Sequence, residues 1–215
     1  METLLFAGFG VAAVCAAVAG LVGGFPDPRR VKRVLARARL DKIATLAEGS
    51  VATVRGTVTA LDPLHIAPLT PRRCVFWTVV FDEVGAGGDY VEIGRAEAGS
   101  SFLLADASGV ARVVPDRPRL ALLGTELMRE VRVLDPNFRD LVGNLARTVC
   151  RPPNHPSSTL RATEYVIEDR ATITVRGWCT REPLPDATDH VTGYREELPT
   201  RAVISGSRAT PLMIA

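Results

Sequence analysis

Residues 4–25, LLFAGFGVAAVCAAVAGLVGGF, form a run of 22 residues without a single charge. As a helix rising about 1.5 Å per residue, this run extends roughly 33 Å, enough to cross a hydrocarbon core of about 30 Å. An unbroken helix also satisfies its own backbone polar groups, as lipid requires. The expectation is an N-terminal transmembrane anchor over residues 1–28. The competing reading is a cleaved secretory signal, which wants a basic leading segment and a shorter apolar stretch. Met1-Glu2-Thr3 carries an acid and no base, although Ala16-Ala17-Val18-Ala19-Gly20 has the small residues of a processing site. A buried helix of a soluble protein would show a polar face, and this run has none.

Charge sets the expected orientation. Arg29, Arg30, Lys32, Arg33, Arg37, Arg39 and Lys42 all follow closely on the apolar run. Basic residues flanking a span favour the cytoplasmic side. With an Ala-, Arg- and Val-rich composition of bacterial kind, the expected location is the plasma (inner) membrane, single-pass, with the domain in the cytoplasm. The whole chain has a formal charge of +2, and residues 1–42 hold seven basic against three acidic residues. The rest of the chain is therefore slightly acidic. A nucleic-acid binder needs a basic stripe on its folded domain, so nucleic acid is not an expected partner.

Residues 31–43 (VKRVLARARLDKI) read as a short helix with Val31, Val34, Leu35, Ala38 and Ile43 on one side and bases on the other. Such a helix can lie on anionic lipid, with Arg29, Arg30, Lys32, Arg33, Arg37 and Arg39 as membrane-surface residues. It can equally be a connector packed on the domain that follows. From Ser50 the period changes to two: Ala52, Val54, Gly56 and Val58 alternate with Val51, Thr53, Arg55, Thr57 and Thr59. Further β-rich runs cover 74–81, 90–96, 102–105, 110–114, 160–167 and 171–178, separated by Gly, Pro and Asp. Many short punctuated strands point to a mostly antiparallel barrel or sandwich. Asp135 and Pro136 begin one helical pattern through Phe138, Leu141, Val142, Leu145 and Val149. Residues 203–205 and 211–214 read as a last hairpin.

Three segments together resemble a known family. Ile66-Ala67-Pro68-Leu69-Thr70-Pro71-Arg72-Arg73-Cys74-Val75-Phe76-Trp77 is similar to the "PLT…C" signature of the GIDE/MULAN family, whose domain is nicknamed "beside a membrane". The stretch 102–113 (FLLADASGVARV) resembles its strand-turn-strand, and 161–177 (RATEYVIEDRATITVRG) its later "E…G" stretch. The resemblance implies an OB-like β-barrel domain next to a bilayer over roughly residues 43–180. In eukaryotic mitochondrial members a C-terminal RING gives E3 ubiquitin-ligase activity. That cross-brace needs eight Cys/His ligands with C-x-x-C pairs; this chain has four cysteines, one inside the apolar run, three histidines and no C-x-x-C. Ligase activity of its own is therefore not expected. Family members also commonly carry a second span after the domain, with the domain outside the cytosol, whereas the charge bias here points inward.

Candidate chemistry is sparse. Cys74 follows Arg72 and Arg73, which can lower a thiol pKa, but a small buried strand residue is the simpler account. Cys150, His155, Cys179 and His190 follow no structural zinc spacing, and no metal or cofactor is expected. Asp106, with Ser108 and Gly109, reads as a hairpin turn. Glu164 reads as part of a strand's polar face. The loop carrying Pro68, Leu69, Thr70, Arg72 and Arg73 is the candidate binding lip, stiffened by prolines and supplied with two guanidinium groups.

The expected organisation is an anchor (1–28), a basic juxtamembrane helix (29–43), a β-rich GIDE-like domain (44–180) and a C-terminal extension (181–215). The fold is mostly β, an OB-like barrel with one or two helices plus the transmembrane helix. The expected role is a non-catalytic interaction or scaffold module whose partners are the lipid bilayer and a protein partner at the membrane. The alternative is an enzyme using Cys74, or a zinc site built on Cys150 and Cys179.

Overall fold

The computed structural model describes residues 28–84, 90–115, 120–122, 128–130, 145, 148–150, 160–184, 199–207 and 209–215. The chain enters as helix α1 (Pro28–Arg37), passes an extended stretch and one 3-10 turn (Ile43–Thr45), and is β-structure from there on.

β1 (Val51–Ala60) is the alternating segment of the sequence, and its burial follows the alternation: Ala52, Val54 and Val58 point inward, Arg55, Thr57 and Thr59 outward. A short hairpin, β2 (His65–Ile66) with β3 (Arg73–Cys74), comes next, then the long hairpin β4 (Phe76–Val84) and β5 (Tyr90–Gly99). β6 (Phe102–Asp106) and β7 (Gly109–Val114) form a tight hairpin. β8 (Leu120–Leu122), β9 (Met128–Glu130) and β10 (Leu160–Ile167) lead to β11 (Thr172–Pro183), β12 (Thr200–Ser205) and β13 (Leu212–Ile214).

Five of these strands close a barrel. The order is β1-β6-β7-β12-β11 and back to β1, antiparallel at every step except the parallel β7–β12 pair. Closure removes sheet edges and encloses one apolar core. Val54, Val58, Phe102, Leu104, Val113, Val175, Ile204, Leu212 and Ile214 fill it. Each fully buried large side chain of this kind contributes about 1.5–3 kcal/mol.

The other strands form a four-stranded sheet, β5-β4-β10-β9. It is assembled from two excursions of the barrel chain, one between β1 and β6 and one between β7 and β11. One face carries Val79, Phe81, Ile93 and Ala162, with Leu69, Trp77, Leu145, Val149 and Cys150 packed against them. β12 and β13 follow one another along the same edge of β11, interrupted by residues 206–211. Gly177 faces that interruption: a Cβ there would lie 2.7 Å from the Ser205 carbonyl oxygen and 2.8 Å from Leu212 Cδ1.

The mostly β barrel expected from the alternation is present, and its boundaries correct the sequence reading in three places. The boundary drawn at residue 180 falls inside β11, and β12 beyond it is one of the five strands of the closed ring, with β13 lengthening the wall along β11. β12 and β13 do not pair with each other, so the expected last hairpin is absent. The basic helix ends at Arg37, not at 43, and Ile43 reaches the barrel core through the 3-10 turn. Among the described residues no helix is long and apolar enough to cross a membrane. The 4–25 run lies outside them, as does most of the helix expected after Asp135, of which Leu145, Thr148 and Val149 are helical.

Candidate binding surface

Two of the three familiar segments present a carboxylate that ties the domain together, Glu164 in 161–177 and Asp106 in 102–113. Glu164 on β10 is 2% exposed, not on a polar face as expected. Strand parity explains the difference: Ala162, Glu164 and Val166 share one side, so this carboxylate lies on the apolar face. An acid at an apolar-parity position is the signal that could have marked it as an anchor. It binds the 68–73 loop. Leu69 N–H donates to Oε1 (2.7 Å) and Thr70 N–H to Oε2 (3.1 Å), and the Thr70 hydroxyl also donates to Oε2. Arg72 then pairs with Glu168 (2.6 Å) and donates to the Thr70 hydroxyl (3.2 Å).

The five lip residues are therefore largely occupied. Leu69 packs on the small sheet, Thr70 belongs to Glu164, Arg72 belongs to Glu168, and Pro68 is half-buried. What the hairpin presents outward is Arg73, Pro71 and Ile66, which is 67% exposed. Ile66 and Arg73 are cross-strand partners, so an apolar and a cationic side chain stand together. In the sequence Ile66 carries one local mark, that of an apolar residue beside a proline loop.

Cys74, on the same short hairpin, is fully buried. Burial, and then the nearby Glu164 carboxylate, push its thiol up to about 11 against the opposing pull of Arg72. The arginines do not activate it, because a carboxylate and lost hydration outweigh them. Cys150 is likewise pushed up to about 11 by burial, and Cys179 upward by the same cause. Cys179 lies in the barrel core, whereas Cys150 lies against the small sheet. Among the described residues no group of three or more His, Cys, Asp or Glu side chains is arranged to hold a metal. His155 and His190 fall outside those residues.

Asp106 makes the expected turn. Its Oδ1 accepts from Ser108 N–H (2.6 Å), the Ser108 hydroxyl (2.6 Å) and Gly109 N–H (2.9 Å). Its Oδ2 accepts from Ile43 N–H (3.1 Å), and the Ser108 hydroxyl oxygen accepts from Ala44 N–H (3.1 Å). Partial burial opposes ionisation, but these donors outweigh it and hold the carboxyl below its ordinary range. The turn thus clamps the 3-10 segment that joins α1 to the barrel.

Of the residues expected at a membrane surface, all but Arg39 lie on α1. Arg29, Arg30 and Lys32 lie on its backbone with side chains outside the described residues, and Arg33, Arg37 and Arg39 are exposed. Its apolar stripe is already occupied, because Val31 and Leu35 are buried against Met213 of β13. The arrangement defines a closed β-barrel with a latched side sheet and a basic entry helix. The chain matches no protein-family model, no curated protein and no solved structure.

Proposed function

We propose that this protein is a membrane-anchored interaction module without catalysis of its own, an OB-type barrel of the kind the GIDE/MULAN resemblance implies, and without ubiquitin-ligase activity. One observation carries the reading: the polar groups of the familiar segments are used as fasteners. Glu164 holds the 68–73 loop, and Asp106 with Ser108 holds the entry segment. Counted around the barrel, the strands run first, second, third, fifth, fourth, with the third and fifth parallel, which is the OB-type order. A non-catalytic module needs a rigid body and an exposed contact point. The latched hairpin offers Ile66, Pro71 and Arg73 as that point, suited to a protein partner with an apolar pocket beside a carboxylate.

The competing enzyme reading would use Cys74 or a zinc ion on Cys150 and Cys179. Thiols held near 11 are protonated at neutral pH, and the two zinc candidates sit in separate apolar clusters. The test is site-specific photo-crosslinking from Ile66 and Arg73 in the full-length protein in native membranes, with Thr172 as an exposed control. A discrete adduct from 66 and 73, absent from 172, is the expected result. Equal, diffuse labelling from all three positions would overturn the docking point.

A further inference from the structure

The chain between α1 and the barrel is pinned to β1 and to the β6–β7 turn. Asp41 N–H donates to the Thr53 carbonyl (2.7 Å), and Thr53 N–H donates back to Asp41 Oδ2 (2.9 Å). Ile43 and Ala44 are then held by the turn after β6. Asp41 therefore runs along the edge of β1 that faces β6, whereas Val31 and Leu35 reach Met213, beyond β11 on the other side. To connect them the chain crosses the outside of β1 and β11. Thr53 on that outer face is fully buried, and its hydroxyl accepts from Arg176 of β11 (2.8 Å).

Beside the crossing stands Arg55, two residues along β1 on the same outer face and exposed. Arg55 and Arg176 occupy adjacent cross-strand positions, pairing with Thr174 and Thr53. The tertiary structure thus adds two strand arginines to the exposed Arg37, Arg39 and Lys42 of the connection. Among the described residues none of these five makes an ion pair, and the acid nearest in sequence, Asp41, is engaged with Thr53.

We propose that this outer wall of α1, β1 and β11 is a docking face for an anionic lipid bilayer, held by charge and without insertion. The inference rests on the membrane-anchored reading. Two observations select the occupant. The wall is cationic, and the uncharged 22-residue run ends at Phe25, three residues before α1 begins. Insertion is ruled out by the helix itself, since an interfacial helix needs its apolar side free for lipid and here that side faces Met213. The barrel then lies on its side, with β7, the strand opposite the β1–β11 pair in the five-stranded ring, turned away from the membrane.

The experiment uses the full-length chain in nanodiscs of phosphatidylcholine, with and without phosphatidylglycerol. A donor fluorophore is placed at Thr57→Cys on the wall or at Val110→Cys on β7, in an otherwise Cys-free background. Energy transfer to headgroup-labelled lipid is expected to be strong from 57 and weak from 110 in anionic discs. The signal from 57 should fall at about 1 M salt, where screening acts within about 3 Å. Arg55→Gln should weaken docking about five-fold, as should Arg176→Gln, with unchanged circular dichroism. Equal transfer from 57 and 110, or a signal at 57 indifferent to salt and to both variants, would overturn the docking face. Strong quenching at 57 by acyl-chain spin labels would overturn the absence of insertion. Carbonate extraction of native membranes separates the two failures: release of the protein refutes the anchored reading, whereas retention without a preference for 57 refutes the docking face alone.

Discussion

The barrel and the four-stranded sheet are held together in different ways. The five barrel strands close into a ring around one interior that is almost wholly apolar. The sheet is assembled from two excursions and buries polar groups as well: Thr78, Asp82, Glu83, Thr163 and Glu164 are all buried. Arg161 pairs with Asp82 (2.8 Å) and lies 3.5 Å over the Tyr90 ring. A closed apolar core fails as one unit. An open sheet resting on a small cluster and on charge-assisted bonds fails piece by piece, at the low-stability end of the molecule.

The two tryptophans make this difference measurable, since Trp77 lies in the sheet and Trp178 in the barrel. Phe102→Ala empties a fully buried site in the barrel and is expected to cost about 3–5 kcal/mol. In single-tryptophan variants under denaturant, both reporters should shift together. Phe81→Ala in the sheet should shift the Trp77 transition while leaving that of Trp178 closer to wild type. Coincident shifts in both variants would show that the two regions unfold as one and break the comparison.

A smaller effect is expected at the latch. Glu164→Gln keeps the shape but removes the charge that serves three donors of the 68–73 loop, a loss of about 2 kcal/mol. Proteolysis or amide exchange within residues 66–73 should rise well before global stability falls. Loss of the barrel signal at the same denaturant concentration would place Glu164 in the global core instead.

The smallest effect concerns the entry clamp and depends on pH. The Asp106 carboxyl is held below its ordinary value, so its contribution is present above about pH 4 and fades as pH falls through the lower folded-state value. Asp106→Asn is expected to cost about 1 kcal/mol at neutral pH. Denaturant midpoints of wild type and variant should converge as the pH drops below about 4. A gap that stays constant from neutral to acidic pH would show that geometry, not ionisation, carries the clamp.

Local pattern determined a good deal of this protein. The period-two run at 51–59 became β1, and the Asp-Ala-Ser-Gly turn became the β6–β7 hairpin. The bases around 29–42 marked an entry helix, and the proline loop marked a hairpin tip. Each is legible because alternation, turn chemistry and helical spacing act over a few residues. Which segments would meet was left to the tertiary structure. Residues 181–215 read as a C-terminal extension with a last hairpin, yet β12 closes the ring and β13 pairs with β11, because strand pairing is a long-range choice. Glu164 looks like a surface acid until the 68–73 loop folds over it and supplies three donors. Arg55 and Arg176 are ordinary strand residues, 121 positions apart. Only antiparallel pairing of β1 with β11 sets them side by side next to the entry helix, since side-chain neighbourhood across a sheet is decided by register and not by sequence distance.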